Sequence, residues 1–176
     1  MTTSSAPHSP VTPARRDGVQ GLVGRFRKAS FGRKASAGRL FVARPAALGG
    51  GFVMGAAEAA AAIHAGISAA AVEVLDAVPV EKWKWLVTIG IDKSTLARRI
   101  ATRKPLDPAQ AEGVLRAMEL AVLATEVFGT TDRAAGWLGS SHPLLGGMSP
   151  LEYANSAYGL AQVKSILTSI RFGGVV

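Results

Sequence analysis

Between Asp92 and Lys104 the chain carries seven side chains suited to one kind of chemistry: Lys93, Ser94, Thr95, Arg98, Arg99, Arg103 and Lys104. Ammonium and guanidinium groups bind phosphate, a guanidinium also forks onto a guanine edge, and hydroxyls bond to either. Gly90-Ile91-Asp92 precedes them as the turn of a helical hairpin. Such a turn wants Gly at a position of positive φ, and Asp can cap the helix that follows. In a helix-turn-helix the second helix lies in the major groove with its first residues at the base edges. That geometry assigns Lys93, Ser94 and Thr95 to bases or phosphates, Arg98 and Arg99 to guanine edges or phosphates, and Arg103 and Lys104 to the backbone. A plain helical hairpin with a basic outer face has the same spacing. Leu86, four residues before the glycine, also stands where helix-turn-helix units usually carry a small residue.

Other chemistries find little support. The chain has no cysteine, so disulfides, thiolate nucleophiles and Cys-based metal sites are excluded. His8, His64 and His142 are scattered without ligand spacing, and no metal is expected. There are no paired carboxylates and no nucleophile with a base, so no catalytic residue, cofactor or small-molecule substrate is expected either. "GGGFVMG" (49–55) lacks the Lys-Ser/Thr of a phosphate loop and reads as a flexible joint.

The elements that position these residues read as all-α. From residue 56 onward apolar residues recur at intervals of three and four, with almost no alternation. An alanine-rich helix over 56–64 is followed by "AAAVEVLDAV", which Ser68 caps, with Val72, Leu75 and Val78 on one stripe and Pro79 as its stop. A helix over about 80–89 carries Trp83, Leu86 and Val87, with Lys82 and Lys84 as an exposed pair. Ile91 is an apolar plug, and "KSTLARRIAT" turns Leu96 and Ile100 inward. Asp107, Pro108 and Gln110 spell the start of the longest helix, running to about Phe128. Val114, Leu115, Met118, Val122 and Thr125 form one face of it, and Leu120, Leu123 and Val127 the other, as in a central strut or a dimer element. "DRAAGWL" follows, capped by Thr131 and anchored by Trp137. The last helix spans about 158–171 with Leu160, Val163, Ile166, Leu167 and Ile170 on one stripe.

Charge divides the chain sharply. Residues 1–50 hold nine Arg and Lys against Asp17 alone, while the remainder holds eleven residues of each sign. That first segment is rich in Ser, Thr, Pro, Gly and Arg and poor in large apolar residues, so it reads as a disordered basic tail. Its spacing of cations favours loose attraction to phosphates, and its make-up is also that of a solubilising extension or a transit peptide. The run over 46–62 is mostly Ala and Gly and falls short of a membrane span, so a cytoplasmic protein is expected.

A second stretch, "HPLLGGMSPLEYA" (142–154), combines a helix start (Ser149, Pro150, Glu152) with an approach of two leucines and two glycines. It belongs to an ordered series. "LVTIGIDKSTLARRIATRKPLDPAQAEGVLR" (86–116), "ATEVFGTTDRAAGWL" (124–138) and "HPLLGGMSPLEYANSAYGLAQVKSILTSIRFG" (142–173) together resemble the Xre/MbcA/ParS-type antitoxins. The motifs that carry the resemblance are EVFG, WL, P-x-L-G-G-x-S-P-L-E, G-x-x-x-V and L-x-x-I-x-x-G.

The resemblance implies an Xre-like helix-turn-helix bundle over 56–128 followed by a small helical toxin-binding domain over 129–176. It implies a homodimer within a larger complex, whose partners are operator DNA and a RES-domain toxin that consumes or transfers from NAD. The C-terminal domain would cover the toxin's active site. By matching position the toxin-facing residues are Leu144, Leu145, Gly146, Gly147, Pro150, Leu151 and Tyr153, with Ile170, Arg171, Phe172 and Gly173 at the chain's end. Leu144, Leu145, Tyr153 and Phe172 are the surface contacts in this reading, whereas Trp137, Leu151, Val163 and Leu167 serve the core. Two positions depart from the family: Arg171 stands where an acidic residue is usual after the last Ile, and Tyr158 where one is common before the glycine matched by Gly159. Arg171 reads either as entering an anionic pocket or as a cation at a helix C-terminus. The alternative function is a stand-alone helix-turn-helix regulator whose C-terminal domain binds another protein.

Overall fold

The computed structural model describes residues 13–31 and 56–173, and the described residues are helical throughout. Eight α-helices follow in chain order: α1 (Pro13–Phe31), α2 (Ala56–Ala65), α3 (Lys82–Ile89), α4 (Lys93–Ala101), α5 (Pro108–Phe128), α6 (Thr131–Gly139), α7 (Pro150–Tyr153) and α8 (Ala157–Arg171). A 3-10 segment (Ala69–Ala77) precedes α3, and a short 3-10 turn (Pro143–Leu145) leads to α7.

The strut is α5. Asp107 accepts from the Gln110 amide at 2.9 Å, the Gln110 side chain accepts from the Asp107 amide at 3.4 Å, and Pro108 fills the first helical position. Its buried residues lie on all sides, because α1, α2, α3, α6, α8 and the 3-10 segment all pack against it. Leu120, Met118, Val114 and Val122 are fully covered. On the second face Leu120 is fully covered, and Leu123 and Val127 are half-buried.

One close approach is made by α3. A β-carbon placed on Gly113 of α5 would stand 2.2 Å from the Ile89 carbonyl oxygen, so only hydrogen fits there. This contact decides which face of α3 is inward. Trp85 and Ile89, four apart, are buried, while Trp83 is 53% exposed and Val87 exposed with it. Of the pair Lys82 and Lys84, expected to be exposed, Lys84 is instead half-buried. Pro79 and the Val80–Val78 backbone bond also delay the helix to Lys82.

Local chemistry accounts for most other boundaries. The Ser68 hydroxyl accepts from Ala70, but the capped segment winds as a 3-10 helix with Val72, Leu75 and Val78 buried. Gly90 ends α3 at φ 80°. Asp92 accepts from the Thr95 amide at 2.8 Å and from the Ser94 hydroxyl at 2.6 Å, and these bonds hold its carboxyl well below the usual carboxylate range. Thr130, not Thr131, caps α6.

Part of the expected disordered tail is ordered. Leu22 and Phe26, four apart on α1, are fully buried, with Val19, Val23 and Ala29 packed beside them against the 3-10 segment and α5. These residues form one narrow helical stripe that the segment's basic, polar average conceals. The rest of the tail (1–12 and 32–55), with the "GGGFVMG" joint, lies outside the described residues.

Gly113→Ala should lower the unfolding free energy by about 3 kcal/mol, since the clash is with backbone and α3 must shift. Gly136→Ala on α6, where a β-carbon meets nothing within 4 Å, should instead stabilise by about 1 kcal/mol. Urea unfolding of both variants checks the pair, and equal effects would refute the close approach.

Candidate functional site

Two surfaces hold the residues that the sequence singled out. The first is the outer side of α4 and its exit. Lys93, Ser94, Arg98, Arg103 and Lys104 are exposed, and Thr95 is half-buried. Arg99 is different: its guanidinium donates to the Pro105 carbonyl at 2.6 Å and to Asp107 at 3.1 Å, so it ties α4 to the start of α5. Beyond α4, Lys104 donates its amide to Arg99 and Arg103 to Ile100. Arg103 closes this turn at φ 52°, a left-handed conformation usually left to Gly.

The second surface is the loop into α7. It is closed by its own backbone: His142 donates to Met148 at 3.0 Å, Leu145 to His142 at 3.0 Å, Gly147 to His142 at 3.2 Å, and Met148 to Leu145 at 3.2 Å. Gly146 and Gly147 both sit at positive φ, 65° and 83°, which explains the paired glycines. The two leucines then part company. Leu144 is 54% exposed while Leu145 is 2% exposed and belongs to the core. Leu145 therefore anchors the loop rather than offering a surface contact. Met148, not singled out by the sequence reading, is 44% exposed. Its place in the same apolar loop beside the glycines was the available signal.

Below the loop, Trp137 packs on Phe128 with the rings tilted by 37° and 5.4 Å between their centres, and it meets the His142 ring edge-on at 5.9 Å. Ser149 starts α7 with a reciprocal cap: its hydroxyl accepts from the Glu152 amide at 3.3 Å, and Glu152 accepts from the Ser149 amide at 3.0 Å and the Ser149 hydroxyl at 2.6 Å. The Ser149 hydroxyl and amide hold the Glu152 carboxyl below its ordinary range. Pro150 and Leu151 are buried, and Tyr153 is half-buried. The Thr88 hydroxyl of α3 reaches the Leu151 carbonyl at 2.9 Å, with the Lys84 carbonyl as its alternative acceptor at 3.0 Å. Lys84 donates to Gly139 at the end of α6 at 3.2 Å. The loop is thus clamped from behind by α3.

At the chain's end, Ser156 caps α8 through the Gly159 amide at 3.1 Å, and a β-carbon on Gly159 would fall 1.8 Å from the Tyr153 carbonyl. Tyr158 beside it is exposed, as is Phe172. Ile170 and Arg171 are half-buried, and Gly173 is exposed. Arg171 stands 3.9 Å from Glu126 of α5, whose carboxyl is pushed up by burial and only partly restored by that cation. Val163 and Leu167 are core residues, whereas Trp137 is half-buried. Among the described residues no cluster of His, Cys, Asp and Glu could hold a metal ion, and no helix is long and apolar enough to cross a membrane.

The structure thus defines an all-helical protein with a tight helical hairpin and, at its C-terminal end, a rigid loop that displays apolar side chains. Residues 123–173 match the family model of the antitoxin Xre/MbcA/ParS C-terminal toxin-binding domain. The chain is also 28% identical over 79 residues to Antitoxin Xre of Pseudomonas putida (strain KT2440), an overlap of 45% of this chain and 50% of that protein. The chain thus spans about half the length of that curated relative. These findings bear out the resemblance to the Xre/MbcA/ParS antitoxins, and the displayed loop lies within the segment matched to the toxin-binding domain.

Ser149→Ala should cost about 1 kcal/mol at pH 7, as the loss of a helix cap does. Glu152 titrates from 4.5 when free to a lower value in the fold, so the stability it adds is complete above about pH 4.5 and lost as pH falls through the folded value. The gap between wild type and variant should therefore narrow on acidification below pH 4.5. A gap that widens in thermal melts across that range would contradict the assigned bonds.

Proposed function

We propose that this chain neutralises a RES-domain toxin by laying the 142–153 loop and the α8 end over the toxin's NAD site. In the same reading it is a cytoplasmic, non-enzymatic homodimer that represses its own operon through α3 and α4. The observation that carries the proposal is the pair Leu144 and Met148, displayed on a hydrogen-bonded loop inside the segment matched to the toxin-binding domain. Exposed apolar side chains on a fixed backbone favour protein contact, because little conformational freedom remains to be lost on docking. Gly146 and Gly147 let the partner's backbone come close, Phe172 adds an apolar contact at the chain's end, and Tyr153, Ile170 and Gly173 flank the two contact points. Leu145, Pro150 and Leu151 act by positioning.

On α4, exposed Lys93, Ser94 and Arg98 face the duplex, with Arg103 and Lys104 on phosphates and Arg99 holding the helix in place. A second reading keeps the DNA contact and gives the C-terminal domain a different protein partner. The departures at Tyr158 and Arg171 favour it, since they change polar groups within the segment matched to the toxin-binding domain.

Co-expression with a RES-domain toxin encoded next to this chain should restore growth, and a truncation ending before His142 should not. Leu144→Asp with Met148→Asp should abolish rescue while the thermal midpoint stays within about 2 °C, as expected for surface substitutions. Full rescue by the truncated or doubly substituted chain would remove the loop from the inhibitory contact.

A further inference from the structure

We infer that duplex DNA held on α4 is gripped by a second element, α1, whose Arg25 and Lys28 continue the α4 cations into one phosphate-binding seam. The inference rests on the DNA-binding reading above and adds a contact outside both the helical hairpin and the matched C-terminal segment.

Connectivity brings the two elements to a common neighbour, since α1 and α4 both pack against the 3-10 segment Ala69–Ala77. The last turn of α1 accepts a hydrogen bond at the Ser30 carbonyl from the Ser68 amide, at 3.3 Å. Ser68 forms an antiparallel bridge with Pro105, and Leu106 donates to the Ile67 carbonyl at 2.9 Å. Pro105 directly follows Lys104 and accepts from Arg99. Two helical residues, one hydrogen bond, one bridge and one peptide link therefore separate Lys28 from Lys104, a path of no more than about 20 Å. At ~3.4 Å of axis per phosphate on one strand, that length covers about six phosphates.

Burial and charge make the arrangement usable. Leu22 and Phe26 pin α1 to the body, so its cations are held in place. Arg25 and Lys28 lie on its exposed side, and Arg98, Arg103 and Lys104 are exposed at α4 and its exit. Asp107, the carboxylate at the start of α5, is paired with Arg99.

Arg103 adds an independent sign. Its position, φ 52° between the paired amides that close α4, is one that Gly fills without strain. The chain instead places there an exposed guanidinium, next to Lys104 and at the end of α4 nearest α1. A strained backbone that displays a cation is accounted for by a ligand for that cation.

The test uses the full chain, fluorescence anisotropy from low to high salt, and two duplexes: the DNA upstream of its own coding sequence and a scrambled duplex of equal length. Arg25→Gln with Lys28→Gln should weaken binding to both duplexes about tenfold at moderate salt. It should lower the slope of log K against log salt by about two, leave the ratio between the duplexes unchanged, and leave the thermal midpoint unmoved. Arg103→Gly should lower the slope by about one while keeping or raising the thermal midpoint. An unchanged slope in both variants, with Arg98→Gln still weakening binding, would overturn the seam and leave the α4 reading standing. No binding of either duplex by the wild-type chain would overturn both.

Discussion

The Ile89 carbonyl lies where a β-carbon on Gly113 would stand, and the placement of both candidate surfaces depends on that absent atom. With α3 drawn against α5, Trp85 and Ile89 enter the core and Gly90 turns the chain into α4 at a fixed position. From its opposite edge α3 sends the Thr88 hydroxyl to the Leu151 carbonyl and the Lys84 ammonium to Gly139. One helix of eight residues is therefore fixed to the strut on one side and supports α6 and α7 on the other. The hairpin and the apolar loop share a single frame of reference.

Within that frame the loop is made rigid by means that involve little packing. Five backbone hydrogen bonds, two left-handed glycines and a reciprocal Ser149–Glu152 cap determine its path over eleven residues. Leu145 is the packing contribution, and its burial is what turns Leu144 outward, because adjacent residues of so tight a turn cannot face the same way. An apolar side chain kept in solvent on an ordered backbone is costly alone and useful when covered.

What could be read from the sequence divides along the same line between local and tertiary causes. Ser68, Asp92, Asp107 and Ser149 were legible as caps because each acts within three residues of itself. The run "GTT" offered two equivalent hydroxyls before α6, and the choice of Thr130 over Thr131 depends on where the chain leaves α5. Trp83 and Trp85 are equally apolar and two residues apart. Only the approach of α5 decides that Trp85 is inside. The α1 stripe escaped because charge and composition were averaged over fifty residues, whereas Leu22 and Phe26 need only one turn of helix to find each other. Of the site residues, the exposed cations and Leu144 were legible by type. Arg99 and Leu145 were not, since Arg99 turns to Pro105 and Asp107 beyond the end of its helix and Leu145 is drawn into the core.

Arg171 shows how such a partner changes a surface. At position 171 this chain has a cation beside Glu126, a carboxylate on α5 that burial disfavours in its charged form. At 3.9 Å the pair is loose, and Arg171 offsets only part of the desolvation it faces, so Glu126 stays raised. An acid at 171 would stand next to Glu126 and raise it further, whereas the cation relieves the interior. The same cation directs the polar group of the last turn toward α5, while Phe172 beside it stays exposed. Any partner that meets this end finds an apolar ring next to a charge already engaged with the body.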